Sequence, residues 1–264
     1  MTCLSKYKID CEKCSGLCCV ALFFSKSDGF PHDKIAGKPC QHLLSDYRCE
    51  VHHELNHRQL KGCLSYDCLG AGQITTQLYA IDDWHNPKIR EEIFNVFMIV
   101  YHIQQSTYYL DECLQIPEAS LYIEEGHRLL NIKDNILSSK DLVYFDVVNY
   151  RKSINHILKS VISKITNKNY TDIVGKNFSG KNLDKTDFSM SLLIGANLEG
   201  CSLVNACFLG TDMRDVHIKN TDLSQCHFLT QAQINSAIGN QSTILPHHLS
   251  MPSSYSFQAS VSSK

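Results

Sequence analysis

Residues 11–19 read CEKCSGLCC, four cysteines in nine residues. Thiolates bind soft or borderline metal ions, and a Cys-x-x-Cys spacing lets two sulfurs reach one ion from a tight turn. Cys11 and Cys14 have that spacing. Cys18 and Cys19 follow, then Cys40, Cys49, Cys63 and Cys68. Four thiolates satisfy one zinc ion in a closed site, whereas eight suit two ions or an iron–sulfur cluster with cysteines to spare. On extended backbone the adjacent Cys18 and Cys19 would point apart, so one of them is expected on a second ion or packed as a hydrophobe. His42 and His52 stand in reserve as additional ligands. A disulfide or redox-thiol framework is the alternative.

The distribution of cysteines supports the metal reading. Nine of the thirteen fall in the first 68 residues, Cys3 among them; the others are Cys113, Cys201, Cys207 and Cys226. The opening MTCLSKYKID has no apolar region of the kind a secretory signal carries. The longest apolar stretch, IFNVFMIVYHI at 93–103, is too short for a bilayer of about 30 Å. A cytoplasmic location is therefore expected, where clustered cysteines are metal ligands more often than disulfides. The formal net charge of −2 argues against a protein that coats nucleic acid, and no membrane association is expected.

One motif is a lure. His53-Glu54-Leu55-Asn56-His57 fits the His-Glu-x-x-His pattern of zinc proteases, in which two histidines one helical turn apart hold the ion. It lies between the candidate ligands Cys49 and Cys63 in a segment rich in His and Glu, with little room for a substrate cleft. No catalytic residue is assigned: there is no nucleophile–base pair, and Gly70-Ala71-Gly72 is too short for a nucleotide fingerprint.

Five segments must position these residues. Residues 1–74 are rich in turns and poor in apolar periodicity, so an irregular module held by metal rather than by a core is expected. Residues 75–168 form an α-helical region. One helix is expected from Asn86-Pro87 through KIREEIFNVFMIVYHIQQSTYYLDEC, a second from Pro117, and a third from about Ser139, with Ile154, Ile157, Leu158, Val161, Ile162 and Ile165 on one stripe.

Residues 169–230 follow another period. Every fifth residue is large and apolar: Ile173, Phe178, Leu183, Phe188, Leu193, Leu198, then on through Leu203 and Phe208 to Phe228. The residue two before each is mostly small, as at Thr171, Thr186, Ser191, Ala196, Cys201, Ala206, Thr211, Thr221 and Cys226. Neither helix nor strand yields a period of five, and a fixed short repeat points to a solenoid. Cys201 and Cys226 then act as small inward hydrophobes, and Cys207 is expected to face outward. Residues 231–249, LTQAQINSAIGN onward from Leu229, are expected to form a short helical cap over the solenoid's open edge, and 250–264 a flexible tail.

The pattern, with cores such as GANLEG and NTDLSQ, resembles the pentapeptide-repeat family. The resemblance implies a right-handed quadrilateral β-helix with four pentapeptides per coil, hence about three coils. Residues 11–68 resemble the family of zinc- or iron-chelating domains through the Cys11-x-x-Cys14…Cys18-Cys19 cluster. Their later elements are Cys40 to Leu43, Cys49 to His52, and Gly62 to Cys68. Taken with Asp83-Trp84 and QAQINSAIGN, the order of parts resembles a group of bacterial pentapeptide-repeat proteins with an N-terminal cysteine-rich module. That resemblance supplies an architecture rather than an activity.

The expected function is a non-enzymatic protein-interaction scaffold that binds zinc or iron, with an unidentified protein partner on the solenoid or a helical face. One alternative is a redox or metal sensor, or a metal-dependent enzyme, using the cysteine cluster. Another, implied by the pentapeptide-repeat family, is a DNA mimic that protects a topoisomerase from inhibitors. The seven acidic and five basic residues between 171 and 230 give that mimicry little charge to work with.

Overall fold

The computed structural model describes residues 3–80, 83–170 and 173–256. Thr171 and Asp172, and 257–264 of the expected tail, lie outside the described residues. The chain divides into two compact units, residues 1–63 with 68–159 and residues 64–67 with 160–264.

The first unit holds the helices α1 (Leu17–Ala21), α2 (Lys61–Leu64, its last residue in the second unit), α3 (Ala71–Leu78), α4 (Arg90–Cys113), α5 (Ile123–Ile136) and most of α6 (Val147–Ile165). Helix α4 buries Ile93, Val96, Phe97, Val100, Ile103, Gln104 and Thr107, the three- and four-residue spacing of one helical face. Helices α1, α3 and α5 and the 3-10 turns at Cys3–Tyr7 and Lys140–Tyr144 pack on it. Asp111 of α4 is buried, accepts the Tyr7 hydroxyl proton and pairs with the Lys6 ammonium at 2.7 Å, which ties the N-terminal turn to the helix. Burial and the Asp111 charge push the Tyr7 hydroxyl far above the ordinary tyrosine range, so it stays a donor.

Several expectations shift here. The boundary expected at 74/75 falls inside α3, and the cysteine-rich segment shares its unit with the helices. That segment is not coreless: Leu17, Val20, Phe30, Val51 and Leu60 are buried in it. Leu17 and Val20 lie three apart on α1 and the others stand singly in sequence, so no longer periodicity marks them. Asn86 does not cap α4; its Oδ1 accepts the Lys88 N–H at 3.1 Å in a local turn, and the helix begins three residues after Pro87. The second and third expected helices each open with a 3-10 segment, Pro117–Tyr122 before α5 and Lys140–Tyr144 before α6. Phe145 is extended and separates the latter from α6. The stripe expected on α6 is buried throughout.

In the second unit the period of five becomes geometry. From Gly175 to Asn220, every fifth residue has a positive φ, between 54° and 68°. From Gly175 to Asp215 each closes a β-turn whose N–H···O bond returns to the large residue, as Ala196 N–H to Leu193 O at 2.8 Å. The chain therefore bends four times in twenty residues and then meets itself: Asn177 pairs in parallel with Asn197, Asn182 with Ser202, Asp187 with Cys207, and Asn197 with His217. Because a turn interrupts each side, pairing rarely extends beyond one residue, and among the described residues the strands longer than a single bridge are β1 (Lys168–Asn169) and β2 (Thr186–Asp187). This is a β-solenoid.

All twelve large residues are buried, and Phe188 stacks on Phe208 with ring centroids 5.2 Å apart. At the rung positions, Asn177, Asn182, Asp187, Asn197, Asp212 and Asp222 each accept the N–H two residues on, at 2.8–3.1 Å, which stiffens the corner.

Three details differ from expectation. Cys207 is buried rather than outward in solvent, its sulfur 3.1 Å from Ser189 Oγ on the coil before. The helix after the repeats, α7 (Gln231–Ser236), ends before Gly239 and is built into a further coil rather than laid over an end. Thr230 and Gln233 form its capping box, Gln233 Nε2 donates to Phe208 O and Thr211 O, and pairing then resumes at Ile238 and Ile244. The tail is fixed as far as Tyr255, whose ring is buried against Gly239 and whose hydroxyl donates to Ile234 O at 2.7 Å. Phe208→Ala should lower unfolding stability by about 3–5 kcal/mol, read from urea melts; a loss under 1 kcal/mol would mean the interior column does not carry the solenoid.

Candidate metal centre

The first cysteine loop is built by short-range turns and held by distant residues. Asp10 caps a 3-10 turn at Cys11–Lys13 by accepting the Glu12 N–H, and Cys14 closes it. Gly16 then starts α1 in the left-handed region at φ 72°; a Cβ there would stand 2.7 Å from Leu43 Cδ1. Since α1 carries both Cys18 and Cys19, their backbone is helical rather than extended, and the two sulfurs lie 4.0 Å apart. Two thiolates on one tetrahedral zinc at about 2.3 Å would stand about 3.8 Å apart. The expectation that these neighbours must diverge is thus corrected by the local helix.

Other segments close around α1. The Cys40 N–H donates to Cys19 O at 2.8 Å, and Cys49 bridges Leu43 in antiparallel register. Cys63 lies in α2, and the Cys68 carbonyl accepts the Ala71 N–H at the start of α3. Gly72 of α3 faces Cys14 so closely that a Cβ would stand 2.6 Å from its sulfur.

Polar residues unmarked by the cysteine pattern hold the loop in place. Gln73 Oε1 accepts the Asp10 N–H at 2.6 Å, Thr76 Oγ1 accepts the Ser15 N–H at 3.0 Å, and the Trp84 indole N–H donates to Ser15 O at 3.1 Å. Lys34 is buried, and its ammonium donates to Val20 O at 2.7 Å and Leu22 O at 2.5 Å, where α1 ends. A cation there complements the negative end of the helix dipole.

The thiols share one electrostatic neighbourhood. Burial pushes Cys63 up to about 12, with Cys18, Cys40 and Cys49 adding to it, and burial with Cys18 and Cys14 takes Cys11 to about 11. Hydrogen bonding from Cys19 lowers Cys18 and Cys49, while the same two partners hold the proton on Cys19. Burial lowers Lys34, and the nearby Cys19, Cys40, Cys18 and Cys63 pull it back. Cys11, Cys14, Cys18, Cys19, Cys40, Cys49 and Cys63 thus act on one another or on this lysine.

The reserve ligands are less engaged. His42 Nδ1 is 3.5 Å from Glu50 Oε2, and His52 stands edge-on to His53. Residues 52–54 form a 3-10 turn rather than the helix a zinc-protease motif needs, and Glu54 pairs with Arg58 at 2.6 Å. Among the described residues, no three Cys, His, Asp or Glu side chains are grouped so as to hold one ion as they stand. No described helix is long and apolar enough to cross a membrane.

Comparison with known proteins bears on the family. The Pentapeptide repeats family matches residues 191–228 in eight copies. The Bacillus subtilis (strain 168) protein described as "Uncharacterized protein YybG" is 34% identical over 267 residues, which covers 92% of each chain. The chain belongs to the pentapeptide-repeat proteins. No solved structure matches it. The family match covers 191–228, and the same period of five begins before it, with Ile173, Phe178, Leu183 and Phe188 buried.

The close approach of Gly72 to Cys14 gives a direct check. Gly72→Ala should push the Cys14 side chain from its place, seen as faster modification of Cys14 by a thiol reagent mapped by peptide mass. An unchanged rate would show that α3 does not position Cys14.

Proposed function

We propose that this pentapeptide-repeat protein is a non-enzymatic interaction scaffold whose N-terminal cysteines bind zinc or iron. The observation that carries the reading is the convergence of Cys11, Cys14, Cys18, Cys19, Cys40, Cys49 and Cys63, from four stretches of chain, around one short helix and one buried lysine. The donor chemistry suits a thiophilic ion: the sulfurs are half-buried or better apart from Cys11, Cys18 and Cys19 have the separation of ligands on a common ion, and Lys34 offsets thiolate charge. Cys49 is already hydrogen-bonded to Cys19, and rotation of Cys14 or Cys63 toward that group would give four sulfurs for one ion. Cys68, His42 and His52 complete the candidate set. The ion would cross-link loops that have few apolar residues of their own.

The solenoid supplies the scaffold. Its interior is filled by Leu, Ile, Phe and Met, which leaves its flat outer sides as the surface for a protein partner. In this reading the coil is right-handed, as the family resemblance implies, and the protein works in the cytoplasm.

The test is metal analysis of protein purified without oxygen, with an absorption spectrum of the same sample. One or two zinc ions per chain, or iron with sulfide and visible absorption, is the expected result. Chelation should then lower the melting temperature and shift the emission of Trp84, the chain's one tryptophan, which is hydrogen-bonded to the cysteine loop. Cys18→Ser should reduce the metal content. Protein that carries neither metal, with all eight thiols titratable, would overturn the reading.

A further inference from the structure

We infer that Lys176 and Lys181 are edge guards, which prevent the solenoid from pairing end to end with a second copy of the chain. The small inward position is Ala196 and Cys201 in the next coil and Val216 and Thr221 in the one after, all buried. In the first coil the same two positions are lysines, and both are exposed. The substitution falls twice in succession, on adjoining sides of one coil.

Those sides are also where the backbone is open. Asn177 and Asn182 pair forward, with Asn197 and Ser202, and among the described residues have no bridge on their other side. Lys176, Asn177, Gly180, Lys181 and Asn182 are all exposed. The next side around is covered by β1, whose Lys168 pairs with Thr186, and Tyr170 lies on the Phe178 and Phe188 rings at the end of the core. Among the described residues, the rungs at Asn177 and Asn182 are therefore bare. At the other end α7 and the rungs at Ile238 and Ile244 continue the stack, and Tyr255 packs on Gly239.

Bare rungs of a regular stack are a template for another chain, and lysine on an edge is a common block. A second copy laid on this edge would bring strands to about 4.8 Å. Its own Lys176 and Lys181 would then face like charges across the seam, which disfavours pairing. Exposed Lys168 and Lys185 add to the positive rim; Asp184 lies on the same coil but accepts bonds from Ser202 and Val204. Association of this edge with the same edge of a second copy sets like against like. That closes as a dimer rather than growing as a fibre.

The experiment compares the full-length protein with Lys176→Ala/Lys181→Thr, which restores residues the later coils use, by analytical ultracentrifugation over a range of concentrations. The double variant should show a reversible doubling of mass relative to the natural protein. Lys176→Arg/Lys181→Arg should behave as the natural protein does, and so should Lys176→Glu/Lys181→Glu, since like charges of either sign repel. Hydrogen exchange gives an independent reading that needs no variant to fold. In the natural protein the Asn177 and Asn182 amides should exchange fast, whereas Phe178 and Leu183, bonded to Asn197 O and Ser202 O, should be protected. A folded double variant with unchanged mass at every concentration would overturn the inference, as would protection of Asn177 and Asn182 in the natural protein.

Discussion

A backbone that must turn once in five residues controls everything in the second unit. The turn demands a left-handed residue, so glycine stands at half of the ten corners, and Asn, Asp, Lys or Met at the rest. Four turns return the chain to its starting direction, so residues twenty apart pair. The same residue of each five then faces inward on every coil. Column packing of Leu, Ile and Phe follows from that register, as does the absence of long strands. The Asn and Asp side chains on the rungs are part of the same constraint, because each fixes the entry to the next corner with a hydrogen bond to backbone.

The first unit is held in the opposite way. No period runs through residues 1–74, and its geometry comes from pairs far apart in sequence: Trp84 with Ser15, Thr76 with Ser15, Gln73 with Asp10, Lys34 with the end of α1. These are polar anchors on backbone groups that would otherwise be buried without partners, and such groups are costly to leave unpaired. They bring the cysteine loop against α3 and the loops of Cys40 and Cys49 against α1. The cysteine-bearing loops converge because the backbone around them is pinned.

Lys34 links these effects. Its ammonium satisfies the carbonyls that end a five-residue helix, and its charge sits among four thiols. A buried cation near several sulfurs suits thiolates better than thiols. Against it, burial favours the neutral thiol at Cys11, Cys14 and Cys63, so the lysine and the burial pull the sulfurs in opposite directions.

The sequence by itself determined the solenoid, because a five-residue period survives any context and each repeat confirms the last; it also marked the candidate cysteines and the buried stripe on α6. The tertiary structure alone decided that Cys18 and Cys19 stand together, since a short helix beginning at a left-handed Gly16 leaves little local signal. It alone revealed Lys34, Gly72, Gln73, Thr76 and Trp84 as the frame of the cluster, because each acts on a residue at least twelve positions away. The burial of Cys207 and the return of Tyr255 onto Gly239 were likewise invisible in the sequence. Periodic order is written locally, whereas a site assembled from single long-range contacts is legible only once the chain has folded.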